Sequence, residues 1–230
     1  MSGLSLRRAS LSLGDAPLVG PLDLSMSRGE VVTLMGPSGS GKSSLLAWVC
    51  GTLAPAFAAS GTVLVDGADV TALPAHRRRI GILFQDDLLF PHLSVGGNLG
   101  FGLPASVRGS ARRARIAAAL ADAELDGFEH RDPATLSGGQ RARIALMRTL
   151  LAEPRALLLD EPFGKLDVAL RDRMRRFVFE RARRLALPVL MVTHDPEDAA
   201  ATGGTVLHLL AGGTVRRADP GEELADALPA

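Results

Sequence analysis

The stretch Gly36-Pro37-Ser38-Gly39-Ser40-Gly41-Lys42-Ser43 fits G-x-x-x-x-G-K-[ST], and no other segment narrows the possible fold so far. It comes after Val31-Val32-Thr33-Leu34-Met35, a short apolar run of the kind that forms a buried strand. It precedes Ser44-Leu45-Leu46-Ala47-Trp48-Val49, whose apolar groups are spaced as on a helix. Strand, glycine loop and helix in that order make a P-loop, which a glycine turn imitates by accident in on the order of 1% of chains. Its glycines let the backbone curl so that successive N–H groups from Gly36 to Ser44 point at phosphate oxygens, beside the positive end of the adjoining helix. Lys42 would then neutralise β- and γ-phosphates, and the Ser43 hydroxyl would ligate Mg²⁺. Of 26 Lys and Arg residues, only Lys42 and Lys165 are lysines. A compact ammonium is therefore the exception in this chain, and one of the two exceptions stands where phosphate chemistry uses it.

The rest of the chain alternates in the same manner. Strands are predicted at residues 4–13, 61–65 and 79–84, the last ending at Gln85, and the Ala/Pro patch at 54–59 reads as a loop. From Asp86 to about Thr135 Pro and Gly punctuate the sequence, with a helix predicted at 111–125. Beyond it the pattern predicts a helix at 138–152, a strand at 156–160, an Arg-rich helix at 167–186 and a strand at 188–193. A short helix after Pro196 and strands at 205–210 and 213–217 complete it. Apolar strands alternating with helices imply an α/β fold with a mostly parallel central sheet and helices on both faces. Residues 1–230 are expected to form one domain, with 86–135 as an inserted helical subdomain.

Composition removes other classes. A formal charge of +1 over 230 residues gives no electrostatic case for nucleic acid. The single cysteine, Cys50, rules out an internal disulfide or a thiolate metal cluster. No run approaches the roughly 18 or more apolar residues that span a bilayer, and Met1 to Arg8 lack the pattern of a signal peptide. A cytoplasmic location is expected, with any membrane association supplied by a partner.

Two further motifs carry chemistry. Ala156-Leu157-Leu158-Leu159-Asp160-Glu161 is an apolar strand ending in two carboxylates, and the carboxyl ends of parallel strands are where such sheets bind ligands. Asp160 would hold the Mg²⁺ shell, and Glu161 could polarise a water for in-line attack on a γ-phosphate. Leu136-Ser137-Gly138-Gly139-Gln140 opens a helix, with Ser137 suited to N-cap it and glycines that admit an anion to its end.

This pentapeptide, downstream of a P-loop, resembles the signature of the ABC transporter ATPases, and the resemblance covers essentially the whole chain. It implies a P-loop NTPase fold with an antiparallel β subdomain besides the helical insertion. Gln85 matches the family's Q-loop glutamine, implied to act in catalysis and at the metal. Asp160 and Glu161 match its Walker B pair, Gly164 to Asp167 its D-loop, and His194 its switch histidine. The family binds ATP with Mg²⁺ in a head-to-tail homodimer, so that Ser137, Gly138, Gly139 and Gln140 would complete the partner's site.

Within the family, Leu89-Phe90-Pro91-His92-Leu93-Ser94-Val95, Leu166 to Arg171 and Asp219-Pro220-Gly221-Glu222-Glu223-Leu224 are similar to ATPases of binding-protein-dependent uptake. That likeness implies integral-membrane permease subunits, an indirect link to a solute-binding protein, small polar or ionic cargo, and a peripheral place on the cytoplasmic face of the membrane. A C-terminal regulatory domain, as in many sugar and molybdate ATPases, is not expected. Three positions depart from the family. Leu13 stands where it usually stacks adenine on an aromatic residue, Gly164-Lys165 opens the D-loop, and Gly97 replaces a common Glu. Weaker or less selective adenine binding is expected from Leu13. Three other classes compete with this reading: a DNA-repair or translation ATPase, which would need coiled coils, zinc sites or a second module; a nucleotide-binding subunit with little turnover; and an exporter.

Overall fold

The computed structural model describes residues 3–218. The segment Asp219-Pro220-Gly221-Glu222-Glu223-Leu224 lies outside the described residues. Strands β1 (Gly3–Leu13), β2 (Ala16–Ser27), β3 (Val31–Met35), β4 (Phe57–Val65), β5 (Ala68–Asp69), β6 (Ile80–Leu83), β7 (Ala156–Asp160), β8 (Val189–Thr193), β9 (Thr205–Leu209) and β10 (Val215–Arg217) form two sheets. The helices are α1 (Lys42–Cys50), α2 (Ala75–Arg78), α3 (Val95–Gly102), α4 (Gly109–Asp122), α5 (Gly138–Leu151), α6 (Val168–Arg184) and α7 (Pro196–Thr202).

The larger sheet has the order β10-β9-β3-β8-β7-β6, parallel except for the edge strand β10. Apart from the edge strand β10, its strands are largely apolar on both faces, and strand geometry sends alternate residues to opposite sides. In β7, Leu157 and Leu159 join a core with Leu99, Ile116, Ile144 and Val178 from α3 to α6. Ala156 and Leu158 join a second core with Leu45, Leu46 and Val49 of α1 and with Leu4, Leu6 and Val63 of the smaller sheet. The P-loop helix is thus clamped between the parallel sheet and an antiparallel sheet of order β2-β1-β4-β5. The fold is the α/β P-loop NTPase fold.

Two elements form where none was predicted, and one predicted loop is corrected. Residues 16–27 form a full strand, β2, although Pro17, Gly20 and Pro21 interrupt their sequence. Pairing along β1 supplies what local propensity lacks, with register shifts that absorb the breaks. Residues 57–59, the end of the patch at 54–59 read as loop, are the first part of β4 and pair with Leu11 to Leu13 of β1. Residues 95–102 make a helix despite four glycines, because Ser94 caps it at Gly97 N (3.1 Å) and Val95 and Leu99 are fully buried.

Candidate nucleotide site

Neighbouring strands β3, β8 and β7 run parallel, so their carboxyl ends gather at one edge of the sheet the segments that come next in sequence. The glycine loop comes after β3, His194 after β8, and Asp160 ends β7 with Glu161 next. In the loop, Gly39 and Gly41 take left-handed conformations at φ 78° and 98°, which let the chain fold back on itself before α1. Lys42 lies beneath the loop, 4% exposed, and its Nζ donates to Gly36 O at 2.8 Å and Pro37 O at 2.7 Å. Burial pushes its pKa down, against the opposing pull of Glu161 and Asp160.

The Ser43 hydroxyl donates to Asp160 Oδ1 at 2.8 Å across 117 residues of sequence. Burial raises the Asp160 pKa, helped by the charge of Glu161, while the Ser43 hydrogen bond and Lys42 pull it the other way. A hydroxyl beside a carboxylate is a hard-oxygen donor pair that suits Mg²⁺, which takes few protein ligands and completes its shell with phosphate and water. Among the described residues no cluster of three His, Cys, Asp or Glu could cage a metal alone, which agrees with that sharing.

Glu161 has φ 45°, a left-handed conformation that costs a non-glycine residue about 1–3 kcal/mol. Its N–H donates to Val192 O at 3.0 Å, fixing the turn to β8. That turn carries its Oε1 to 3.1 Å from His194 Nδ1, so that the imidazole can donate to the carboxylate. A cleft of about 260 Å³ is lined by Ser38, Gly39, Gly41, Lys42, Ser43, Ser44 and Glu161, and by Leu13, Leu18 and Phe57. A carboxylate held beside a loop of phosphate-binding amides is the arrangement that phosphoryl transfer to water needs.

Ser137 caps α5 in a capping box: its Oγ accepts from Gln140 N at 3.3 Å, and its own N–H donates to Gln140 Oε1 at 2.9 Å. Gly138 is next, and at Gly139 a Cβ would come within 2.4 Å of Leu170, so the glycine is what lets α5 and α6 approach. Ser137 is exposed, and none of Ser137 to Gln140 lines the cleft.

The profile of the ABC transporter family matches residues 19–164. The chain belongs to that family. It is 52% identical over 198 residues to the uncharacterized ABC transporter ATP-binding protein YnjD of Escherichia coli K12, covering 86% of this chain and 91% of that protein. It is 41% identical over 222 residues to the Fe(3+) ions import ATP-binding protein FbpC of Pasteurella multocida, covering 96% of this chain and 62% of that one. The sulfate/thiosulfate import ATP-binding protein CysA of Xylella fastidiosa Temecula1 is also 41% identical, over 226 residues, with coverage of 96% and 64%. The chain therefore spans most of YnjD but less than two thirds of FbpC and CysA.

In this ABC ATPase, Gln85 stands exposed two residues beyond β6, outside the cleft lining, with its Nε2 3.3 Å from where a Cβ on Gly164 would sit. The departure at the D-loop has a partner there: Lys165 forms an ion pair with Asp86, the residue after Gln85. Gly97 lies within α3, its N–H committed to the Ser94 cap.

Sequence reasoning missed the groups behind His194. Asp195 caps α7 at Glu197 N (2.8 Å) and forms an ion pair with Arg171 of α6. Buried Asp198 accepts from Arg175 Nε at 2.7 Å and from the Thr193 hydroxyl at 3.3 Å. Two arginines one helical turn apart on α6 thus fix the loop that carries His194, a pairing hidden among the many arginines of that helix. Phe57 was missed because its segment reads as loop.

Proposed function

We propose that the chain is the ATP-hydrolysing subunit of an uptake system, working as a head-to-tail homodimer on the cytoplasmic face of a membrane and driving a separate permease. The names of FbpC and CysA, for ferric ions and for sulfate or thiosulfate, support small ionic cargo. An external solute-binding protein would deliver it. Among the described residues no helix is long and apolar enough to cross a membrane, which suits a peripheral role. Residues 1–230 act as one ATPase domain with 86–135 as its helical insertion.

Lys42 and the backbone N–H groups of Gly36 to Ser44 bind and orient the phosphates of ATP. Ser43, Asp160 and Gln85 would hold Mg²⁺, whose charge offsets that of the β- and γ-phosphate oxygens. Glu161 accepts a proton from water as its oxygen attacks the γ-phosphorus, the bond to the β–γ bridging oxygen breaks, and ADP leaves. His194 holds the Glu161 carboxylate by its Nδ1. Ser137, Gly138, Gly139 and Gln140 complete the partner's site, and a dimer shields both from water.

One observation carries this reading: Lys42, Ser43 and Glu161 line one cleft, Asp160 accepts from Ser43 and His194 lies against Glu161, while Ser137 stands exposed and does not line that cleft. Glu161→Gln should keep ATP binding, lower hydrolysis by at least about a hundredfold, the size of a general-base effect, and trap a dimer with ATP on size exclusion. Adding Ser137→Arg should return it to monomer with ATP still bound. Wild-type turnover by Glu161→Gln, or hydrolysis by a demonstrably monomeric wild type, overturns it.

A further inference from the structure

Leu13 is 46% exposed at the end of β1 and offers no π-face to a base. Directly across the strand pair, in register with Leu13, stands Phe57, the first residue of β4. Opposite residues of an antiparallel pair point to the same face. Both side chains line the cleft that contains Ser38 to Ser44, and Phe57 is the one aromatic group in that lining. Its backbone is pinned, with Phe57 N donating to Ala54 O at 3.1 Å, and its ring is half-buried against the core that holds α1. The ring is therefore held in place before any ligand arrives, which lowers the entropy cost of stacking on it.

We propose that Phe57 is the platform on which the base of the bound nucleotide stacks, so that this site takes purine nucleoside triphosphates and reads their base by ring area rather than by hydrogen bonds. This rests on the nucleotide reading of the site and names its specificity residue. It also replaces the expectation that Leu13 leaves the base without an aromatic partner: the ring comes from the neighbouring strand. The apolar lining of the cleft, Leu13, Leu18 and Phe57, carries no side-chain donor or acceptor to tell adenine from guanine. ATP and GTP should consequently bind within about tenfold of each other, and the smaller pyrimidine ring of CTP more weakly than either.

The test compares dissociation constants for ATP, GTP, CTP and inorganic tripolyphosphate, by calorimetry with Mg²⁺, in wild type, Phe57→Leu, Phe57→Trp and Lys42→Ala. Phe57→Leu keeps the apolar packing and removes only the ring. It should weaken ATP and GTP by roughly 5- to 150-fold, the affinity equivalent of stacking one base, and leave tripolyphosphate unchanged. Phe57→Trp should restore ATP affinity, and its added indole fluorescence should be quenched by ATP but not by tripolyphosphate. Unchanged ATP affinity in Phe57→Leu, or an equal loss for tripolyphosphate, overturns the role of Phe57 while leaving the ATP site standing. A wild type that binds neither ATP nor tripolyphosphate, or a Lys42→Ala variant that binds both as wild type does, overturns the nucleotide reading and the stacking role with it.

Discussion

Helix α1 has a buried cation against carbonyl oxygens at each end, and the two ends are built for opposite purposes. At the C-terminal end, Arg78 of α2 donates from Nη1 to Trp48 O at 2.7 Å and Val49 O at 2.9 Å, from Nε to Leu73 O at 2.8 Å, and from Nη2 to Thr71 O. Gly51, in a left-handed conformation at φ 88°, leaves the space, since a Cβ there would meet Arg78 Nε at 2.6 Å. A cation here lies with the helix dipole and satisfies carbonyls that the helix leaves without partners. At the N-terminal end, Lys42 spends two donors on Gly36 O and Pro37 O and lies against the dipole, and no side chain caps the first turn. Burial pushes both cations' pKa down. The difference is therefore in the partners: one end is closed within the protein, and the other keeps donors that only an anion completes.

Exchanging the two cations for alanine should break the symmetry most visibly. Arg78→Ala strips four carbonyls at once and is expected to cost about 3–5 kcal/mol of stability, the size of losing one member of a buried charged network. The melting temperature should fall by roughly 6–20 °C, with ATP affinity near wild type for the molecules that remain folded. Lys42→Ala should do the reverse, lowering ATP affinity by about a hundredfold or more with less than about 1 kcal/mol of stability change. Equal melting losses in the two variants would show that Lys42 is held for structure and that the two ends are alike.

A milder exchange asks why each end has its own kind of cation. Arg78→Lys has three donors where four carbonyls wait, and should cost about 1–2 kcal/mol by urea titration. Lys42→Arg must fit a planar fork beneath a loop that leaves the ammonium only 4% exposed, and should lose about tenfold or more in ATP affinity. Full affinity in Lys42→Arg would mean that the scarcity of lysine in this chain has no bearing on its place here.

The same contrast explains what could be read from the sequence. The functional end of α1 is local: eight consecutive residues, the apolar run before them and the helix after them state the P-loop, and Asp160-Glu161 announces itself at the end of an apolar strand. The structural end is assembled from Trp48, Val49, Thr71, Leu73 and Arg78, which no spacing rule connects. The fold divides in the same way. The parallel strands were legible as apolar runs, whereas β2 and the first residues of β4 owe their strand form to pairing with β1 and lack a local signal. Phe57 falls in that second class, which is why an aromatic residue in the cleft was invisible until the register of β1 and β4 was known. The arginines behind His194 were hidden in another way, since Arg171 and Arg175 look like the solvated face of α6 until Asp195 and Asp198 are brought against them.

The smallest expected effect concerns the carboxylate that faces Lys42. Asp160 is held partly buried next to Glu161, and its pKa is raised above the ordinary carboxylate value of about 3.9. Between that ordinary value and the raised one, the folded state binds more protons than the unfolded state, so stability falls as pH rises through this window. Above the window the ionised group is a constant penalty, tolerated because Mg²⁺ would remove it. Asp160→Asn keeps an acceptor for the Ser43 hydroxyl and removes the charge. Without nucleotide it should be more stable than wild type at pH 7 by about 0.5–2 kcal/mol, the usual size of relief at a functional site, and the gain should shrink toward pH 4. Saturating Mg²⁺ and ATP should reverse the order, because wild type then gains the stabilisation of a ligand that the variant binds poorly. Urea midpoints at pH 4 and pH 7, with and without Mg²⁺ and ATP, measure all of this. A variant no more stable than wild type at pH 7 would show that the carboxylate is already content without its metal, and that the open end of α1 is no more strained than the closed one.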